Sequence, residues 1–231
     1  MASVTHLVTT PDTNNTPNAS GSFVPTIGDL LVVFVTKEAS VHTSIVSADL
    51  TSSVSMTFSL IRAQTFRSSA DALVVFVSNQ LVSNVSSQTV QIESGSDSGL
   101  GSIISVYGVS GMRRTNTGAV RQQGGQSNQT AGTTPAPAFA GAALTGNCCI
   151  GAVANATNPA GLTNPGSWSE SQDTGYTTGA VTGLETAFRN SGETGTTITW
   201  GSTSASAFAS IILELDASVP KAGFFKFFNG A

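Results

Sequence analysis

The sequence predicts an all-β fold, a jelly-roll β-sandwich of about eight core strands in two Greek-key-like halves, with long loops and an extended C-terminal tail. Three observations lead to this prediction. Charged residues, which include the strong helix formers Glu, Lys and Arg, make up only 10% of the 231 residues. Short β-branched or aromatic runs recur between Gly, Ser, Asn and Pro. Several of these runs return later in the chain in the same order.

Helices are not expected, because no window places apolar residues at helical spacing with charged residues on the opposite face. Runs such as 30–35 and 73–77 are apolar at every position, which predicts strands that are covered on both faces. We predict strands over 4–9, 28–36, 57–64, 71–78, 88–93, 101–109, 136–144, 147–154, 167–172, 184–190, 195–200 and 205–215.

The repeat is clearest where 28–35 resembles 146–153, an offset of 118 residues. The offset falls to about 107 at the last pair, as differences in loop length between two halves would produce. The other pairs are 70–79 with 183–191, 89–95 with 196–202 and 102–107 with 209–215. The alternative to a repeat is a loose alignment of two β-rich segments of low complexity.

These pairs predict one domain over 1–216, since the second half alone lacks a partner sheet. We place its first half at 25–111 and its second half at 136–216. The residues between them, 112–135, are expected to be a long crossover loop. Residues 217–231 are predicted to be a C-terminal apolar docking tail.

The tail is where the composition departs furthest from the rest of the chain, because it holds four of the twelve phenylalanines. A docked phenylalanine contributes roughly 1.5–3 kcal/mol, and a terminus left in water would not favour this composition. We predict that the tail docks on another chain; the alternative is that it folds back onto its own sandwich. The predicted docking residues are Phe224, Phe225, Lys226, Phe227 and Phe228.

Charge and hydropathy exclude two classes of partner. The chain has 32 Ser and 30 Thr, but only nine Lys and Arg, and its net charge is −4. It therefore has no basic stripe for nucleic acid. The longest apolar run, 30–35, is far shorter than the roughly 20 residues that cross a bilayer. The first residues lack a basic segment followed by an apolar one, which predicts folding in a cytoplasm.

No catalytic, cofactor or metal site is predicted. His6 and His42 are the only histidines available as bases, and neither lies in a recognisable catalytic motif. Cys148 and Cys149 are adjacent on a strand, so their side chains diverge, and we expect both to be buried. The acidic stretches 93–99 and 170–173 offer oxygen ligands for calcium, but solvated turns are the expected structure.

Two sugar-directed alternatives remain open at this point. Trp168, Tyr176 and Trp200 would supply a stacking platform if they were exposed over one face of the sandwich. A glycosidase needs two carboxylates facing a groove, and Glu170, Asp173 and Glu185 are the acids to test. Among thirteen acidic residues some pair of this kind is always possible, so the presence of candidate pairs does not favour an enzyme.

Four segments, 28–32, 105–109, 133–137 and 206–212, carry a pattern of composition and strand order that covers about 25–216. In this pattern the chain resembles the virion structural proteins of tailed bacteriophages, most closely their jelly-roll capsid decoration or cement proteins. It implies a non-enzymatic protein on the capsid surface, added to a preformed shell as a homo-oligomer, often a trimer. Its implied partners are the major capsid protein and copies of itself. The rival is a phage tail or receptor-binding module that recognises carbohydrate.

Overall fold

The computed structural model describes residues 1–12, 18–38, 45–68, 71–92, 101–156, 162–176, 182–204 and 206–217. These residues form thirteen strands and two short 3-10 turns, without an α-helix, which confirms the all-β prediction. The strands are β1 (Ser3–Asp12), β2 (Asn18–Ala19), β3 (Leu30–Glu38), β4 (Leu50–Ser52), β5 (Phe58–Phe66), β6 (Asp71–Ser78), β7 (Val90–Ile92), β8 (Ser102–Ser110), β9 (Val120–Asn128), β10 (Cys148–Asn155), β11 (Ser169–Tyr176), β12 (Thr182–Arg189) and β13 (Phe208–Leu215).

Two five-stranded antiparallel sheets form the body of the molecule. The first has the order β1-β8-β3-β6-β5, and the second has the order β9-β13-β10-β12-β11. When the five main strands of each half are counted from its own beginning, both sheets read first, fifth, second, fourth, third. The internal repeat predicted from the sequence is therefore present in the topology.

Strand register supports the same repeat and makes Ala187, one residue before Phe188, the equivalent of Phe76. Val33 pairs with Phe76 in the first sheet, and Gly151 pairs with Ala187 in the second. Equivalent residues of the two halves are therefore 118 positions apart in β3 and β10, and 111 apart in β6 and β12. A β-bulge of β5 and a β-bulge of β11 are also equivalent, because they face equivalent residues of β6 and β12. Bulges are specific local features, so their coincidence is strong support for equivalent halves.

The two large sheets pack face to face. Alternate side chains of β3, β6 and β8 meet those of β10, β12 and β13 in one central core. Edge strand β1 contacts β11, and edge strand β5 contacts β9, so the halves are related by an approximate twofold arrangement. The largest members of this core are Leu30, Phe34, Phe66, Leu73, Ile103 and Tyr107 from the first sheet, with Ile150, Leu184, Ile211, Leu213 and Leu215 from the second.

A covering layer packs on the outer face of each sheet. In the first half it is the small sheet β2-β7-β4, with Val90, Ile92 and Leu50 over the outward residues of β3 and β6. In the second half the corresponding connections are joined by backbone bonds from Trp200 to Pro135 and from Gly201 to Thr163, at 3.0 and 2.8 Å. This covering confirms that 30–35 and 73–77 are buried on both faces.

Strand β9 corrects the prediction that 112–135 is a loop. Its residues are mostly Gln, Gly, Ser and Asn, so neither an apolar run nor alternation marks it as a strand. It pairs along β13 as the edge of the second sheet. Gly124 lets the connection before β10 approach closely, because a Cβ there would overlap the carbonyl oxygen of Ala138.

Two predicted strands, 136–144 and 195–200, are not strands in the structure. They are joined by the isolated bridge between Ala138 and Thr197 and belong to the second covering layer. The jelly roll and its eight strands are not confirmed either: the two large sheets contain ten strands, each sheet built from one half of the chain. The confirmed description is an all-β fold of antiparallel sheets compatible with a β-sandwich.

Candidate functional site

The predicted docking residues Phe224, Phe225, Lys226, Phe227 and Phe228 lie outside the described residues, which end at Ala217. The structure does show the surroundings of Ala217, the last described residue before the tail. The backbone N–H of Ala217 donates to Oδ1 of Asn147 at 3.1 Å. Ala217 also borders a cleft of about 210 Å³, whose other lining residues are Met1, Leu144, Thr145, Gly146 and Asn147.

Exposed apolar side chains gather at this end of the sandwich. Met1 precedes β1, Ile27 precedes β3 and Leu144 precedes β10. These three residues are 87%, 63% and 47% exposed. These strands begin at the same end of the sandwich. Ser3 and Leu30 both pair with the last residues of β8, and Met1 borders the cleft that precedes β10. We call Met1, Ile27 and Leu144 the apolar end. Sequence patterning missed it, since isolated apolar residues in turns form no periodic signal.

Two further exposed valines lie on segments connected to this region, and Val24 follows Phe23, which forms a bridge with Gln88 in the connection after β6. Val24 and Val85 are 57% and 51% exposed. Val85 lies on the loop after β6, and Val82 of that loop exchanges backbone hydrogen bonds of 2.8 Å with Gly28 and Asp29. Scattered exposed apolar residues are normal on a protein surface, but a group at one end, where an apolar tail also leaves, indicates a contact surface.

A second feature is an acidic edge at β11, formed by Glu170, Asp173 and Glu185. Asp173 is exposed and lies directly opposite Glu185 of β12, so both side chains are on the outer face of the second sheet. Glu185 is only 1% exposed, and neither of its carboxylate oxygens has a hydrogen-bond partner in the described structure. Burial, reinforced by the charges of Asp173 and Glu170, raises the pKa of Glu185 to about 7.

Trp200 lies over this acidic edge. Its indole is fully buried, close to Gly151, and its Nε1 hydrogen points to the region of Glu185 without reaching hydrogen-bond geometry. A buried carboxylate and a buried N–H that both lack a partner are costly to the fold. The acidic edge is therefore not explained as a device for stability.

The first half provides an internal comparison for the acidic edge. The register places Leu60, Ala63 and Val74 at the positions equivalent to Glu170, Asp173 and Glu185. The same architecture thus forms with apolar residues at all three positions. Carboxylates at this edge are a property of the second half alone, and the fold itself does not require them.

The two tryptophans predicted as a sugar platform are buried. Trp168 is 4% exposed and Trp200 is fully buried, while Tyr176 is the last residue of β11. Trp168 donates from Nε1 to Oε2 of Glu193 at 2.7 Å, and Arg189 donates to the same oxygen at 3.1 Å. Burial alone would raise the pKa of Glu193, but these donors and the charge of Arg189 bring it below its usual value.

A polar cleft of about 390 Å³ opens beside this group. Arg189 donates to the hydroxyl of Ser167 at 2.8 Å, and Ser167 has a φ of 66°, a conformation that non-glycine residues rarely adopt. Hydroxyls of Thr194, Thr197 and Thr199 complete the polar lining. The cleft offers hydrogen-bonding groups without an exposed aromatic face.

His6 takes part in a chain of hydroxyl contacts between the two sheets. Its Nε2 lies 2.8 Å from the hydroxyl of Thr9, which lies 2.7 Å from that of Ser105. Ser105 donates to the hydroxyl of Tyr107, and Tyr107 bonds Thr186 of the other sheet. Ser105 and Tyr107 are fully buried, whereas His6 and Thr9 are half-buried, and burial lowers the pKa of His6. His42 lies outside the described residues.

The cysteines and candidate metal ligands complete the survey. Cys148 and Cys149 are free and fully buried, as predicted, and burial raises the pKa of Cys148 to about 12. In the described ranges, no group of three or more His, Cys, Asp or Glu side chains is arranged to hold a metal ion. The acidic stretch 170–173 falls in β11, which agrees with the predicted strand 167–172 and not with a solvated turn, and 93–99 lies outside the described residues.

Within the part of the chain that the structure describes, no helix has the length and apolarity that a membrane span requires. No family model, curated protein or solved structure matches this chain.

Proposed function

We propose that this chain is a non-enzymatic virion structural protein, a decoration or cement protein that binds the outside of a phage shell and bridges its subunits. The observation that carries the proposal is the apolar end. Met1, Ile27 and Leu144 are exposed at the end of the sandwich where the phenylalanine-rich tail leaves.

The chemistry of the surface suits a large contact with another protein. Burying charge is the costly part of forming such a contact, and only 22 of the 231 residues are charged. Burying an apolar side chain contributes roughly 1.5–3 kcal/mol. Ile27 and Leu144 each present a large part of their surface for that purpose.

A shell also explains how a modest contact becomes a stable one. A capsid repeats the same binding site many times, and an oligomer engages several sites together. Linked binding events raise overall affinity by about 10²–10⁴ without new contacts. The homo-oligomer, with a trimer favoured, is therefore part of the proposal.

The test is cosedimentation of the purified protein with emptied capsids from its own source. We expect saturable binding by the parent chain. The double variant Ile27→Asp/Leu144→Asp removes two apolar anchors and adds two charges, so its affinity should fall at least about tenfold. Ser127→Asp, on the exposed side of β9 away from the apolar end, is the matched control and should bind like the parent.

Equal binding by the double variant would contradict the role of the apolar end. Failure of the parent chain to bind capsids, with binding to tail fractions instead, would overturn the decoration proposal. The second candidate is a carbohydrate-binding or receptor-binding module, which the polar cleft at Ser167 and Arg189 favours. A glycan array without hits would remove that candidate.

A further inference from the structure

As far as the structure describes the chain, the open edges of the two large sheets differ in charge. Four strands form these edges: β1 carries His6 and, at its last residue, Asp12; β5 carries Arg62; β9 carries Arg121; and β11 carries two acids, Glu170 and Asp173. An open edge presents unpaired backbone groups that can accept an additional strand. Of the four described edges, β11 is the one whose side chains suit a basic strand.

Glu185 adds a reason for a cation at this edge. It is 1% exposed, has no hydrogen-bond partner in the described structure, and lies next to Asp173 on the outer face. An uncompensated buried carboxylate is strongly unfavourable, and an ammonium group beside it would offset that cost. No basic side chain of the described residues forms an ion pair with Glu170, Asp173 or Glu185.

We propose that residues 224–228 of a second copy of this chain add as a strand to the open edge of β11, with the ammonium group of Lys226 against the exposed carboxylate of Asp173, beside the buried Glu185. This rests on one part of the proposed function, that the tail docks on another chain. It assigns the tail to a neighbouring copy and leaves the apolar end for the shell.

The sequence of the tail fits this edge. Phenylalanine has high β-propensity, and Lys226 stands at the centre of the run Phe224-Phe225-Lys226-Phe227-Phe228. Alternation along a strand would put Lys226 on one face with Phe224 and Phe228, and the other two phenylalanines on the opposite face. Neighbouring strands are about 4.8 Å apart, so Lys226 would stand next to Asp173 and about 10 Å from Glu185, a span that its long flexible side chain shortens.

Strand direction favours a second copy over the same chain. β11 begins at the apolar end, and the tail leaves from that end beside Ala217. A tail that turned directly onto its own β11 would therefore run parallel to it. Every pairing in the described sheets is antiparallel, and antiparallel pairing is slightly more stable per residue. A tail donated by a neighbour can arrive from the opposite end.

Light scattering of the full chain, in the absence of any shell, tests the proposal. We expect an oligomer that Lys226→Glu weakens at least tenfold and Asp173→Lys weakens equally, because each puts like charges together. The double variant Lys226→Glu/Asp173→Lys restores an opposite-charge pair and should recover most of the association. Lys221→Glu makes the same charge change outside the paired run and should stay within about threefold of the parent.

Cross-linking separates the second copy from the same chain. Asp173→Cys and Lys226→Cys are made in different chains and mixed under mild oxidation, while Cys148 and Cys149 stay buried. A disulfide-linked heterodimer is expected, since paired strands bring Cβ atoms to about 4.5–5.5 Å.

A monomeric parent chain would overturn the proposal, as would a disulfide that forms only when both cysteines are in one chain. An oligomer that is indifferent to both charge reversals would also overturn it. Cosedimentation with capsids is a separate measurement, because the variants of the tail and of β11 leave the apolar end unchanged. A protein that binds capsids as a monomer therefore refutes this inference and the proposed homo-oligomer but not the decoration role, and an oligomer that does not bind capsids refutes only the decoration role.

Discussion

Asn147 donates from Nδ2 to Oε1 of Glu214 at 2.6 Å, and the equivalent positions in the first half hold Asp29 and Gly108. Asn147 and Asp29 each precede the first residue of a central strand, and Glu214 and Gly108 are equivalent on the strand beside it. The Asp29 carboxylate occupies the space over Gly108, where a Cβ would come 2.6 Å from its Oδ2. Both halves therefore place a carboxylate at the same point, but from different strands.

The Glu214 carboxylate should be a major contributor to stability. It is fully buried and accepts from Arg121, Gln122, Asn147 and the backbone N–H of Leu144, at 2.6 to 2.8 Å. Glu214→Ala leaves these donors without their acceptor, so the free energy of unfolding should fall by about 2–4 kcal/mol. Urea unfolding measures it. Asp49→Ala, which removes one exposed acceptor, should cost less than about 1 kcal/mol, and a similar cost for both variants would contradict this role.

The Tyr107 hydroxyl links the two sheets. It bonds Thr186 of the second sheet and accepts from Ser105 of its own strand. Tyr107→Phe should lower the free energy of unfolding by about 1–2 kcal/mol, because buried hydroxyls lose their partner. Thr186→Val completes a double-mutant cycle. A positive coupling energy between the two changes is expected, and additive effects would show that the bond contributes nothing of its own.

Glu185 should make the protein less stable as pH rises. Its pKa is about 7 in the folded protein, above its ordinary value of 4.5, so the folded state holds the proton more tightly. Stability is therefore greatest below about pH 4.5 for this group and is lost up to about pH 7, by at most about 3 kcal/mol.

Thermal unfolding between pH 5 and pH 8 checks this, with Glu185→Gln as the variant. The variant lacks the titrating group, so its advantage over the parent should increase with pH across that range. Asp49→Asn, which changes a half-buried carboxylate outside the acidic edge, should leave the parent profile unchanged. A parent and a Glu185→Gln variant with parallel profiles would contradict the raised pKa.

Cys148 and Cys149 should be unreactive in the folded protein. Both are fully buried, and burial raises the pKa of each thiol, so almost no thiolate is present at neutral pH. Ellman's reagent should label neither residue in buffer and both in concentrated urea. Rapid labelling of the folded chain would show that the second sheet opens at β10.

Individual strands show how much of the fold a local sequence pattern predicts. Leu30–Glu38 and Asp71–Ser78 are strongly apolar over most of their length, so composition alone marks them as strands covered on both faces. Val120–Asn128 carries no such signal, because an edge strand needs only backbone partners. Its existence follows from pairing with β13, whose residues lie 80 to 95 positions later in the chain.

The candidate surfaces also differ in whether the sequence alone reveals them. The phenylalanine-rich tail is visible from composition, while the apolar end and the acidic edge are not. Ile27 and Leu144 are 117 residues apart, and Asp173 meets Glu185 only through one specific register of β11 on β12. A shift of that register by one residue would put the two carboxylates on opposite faces.

The sequence by itself determined that this protein is all-β, that it consists of two similar halves, and that its central strands are buried on both faces. These properties follow from apolar runs, turn residues and their repetition, all of which are local. Only the tertiary structure decided that each half builds its own sheet and that the acids gather at one edge. Those features depend on pairing between distant residues, because antiparallel register and sheet packing are set by contacts that no local period records.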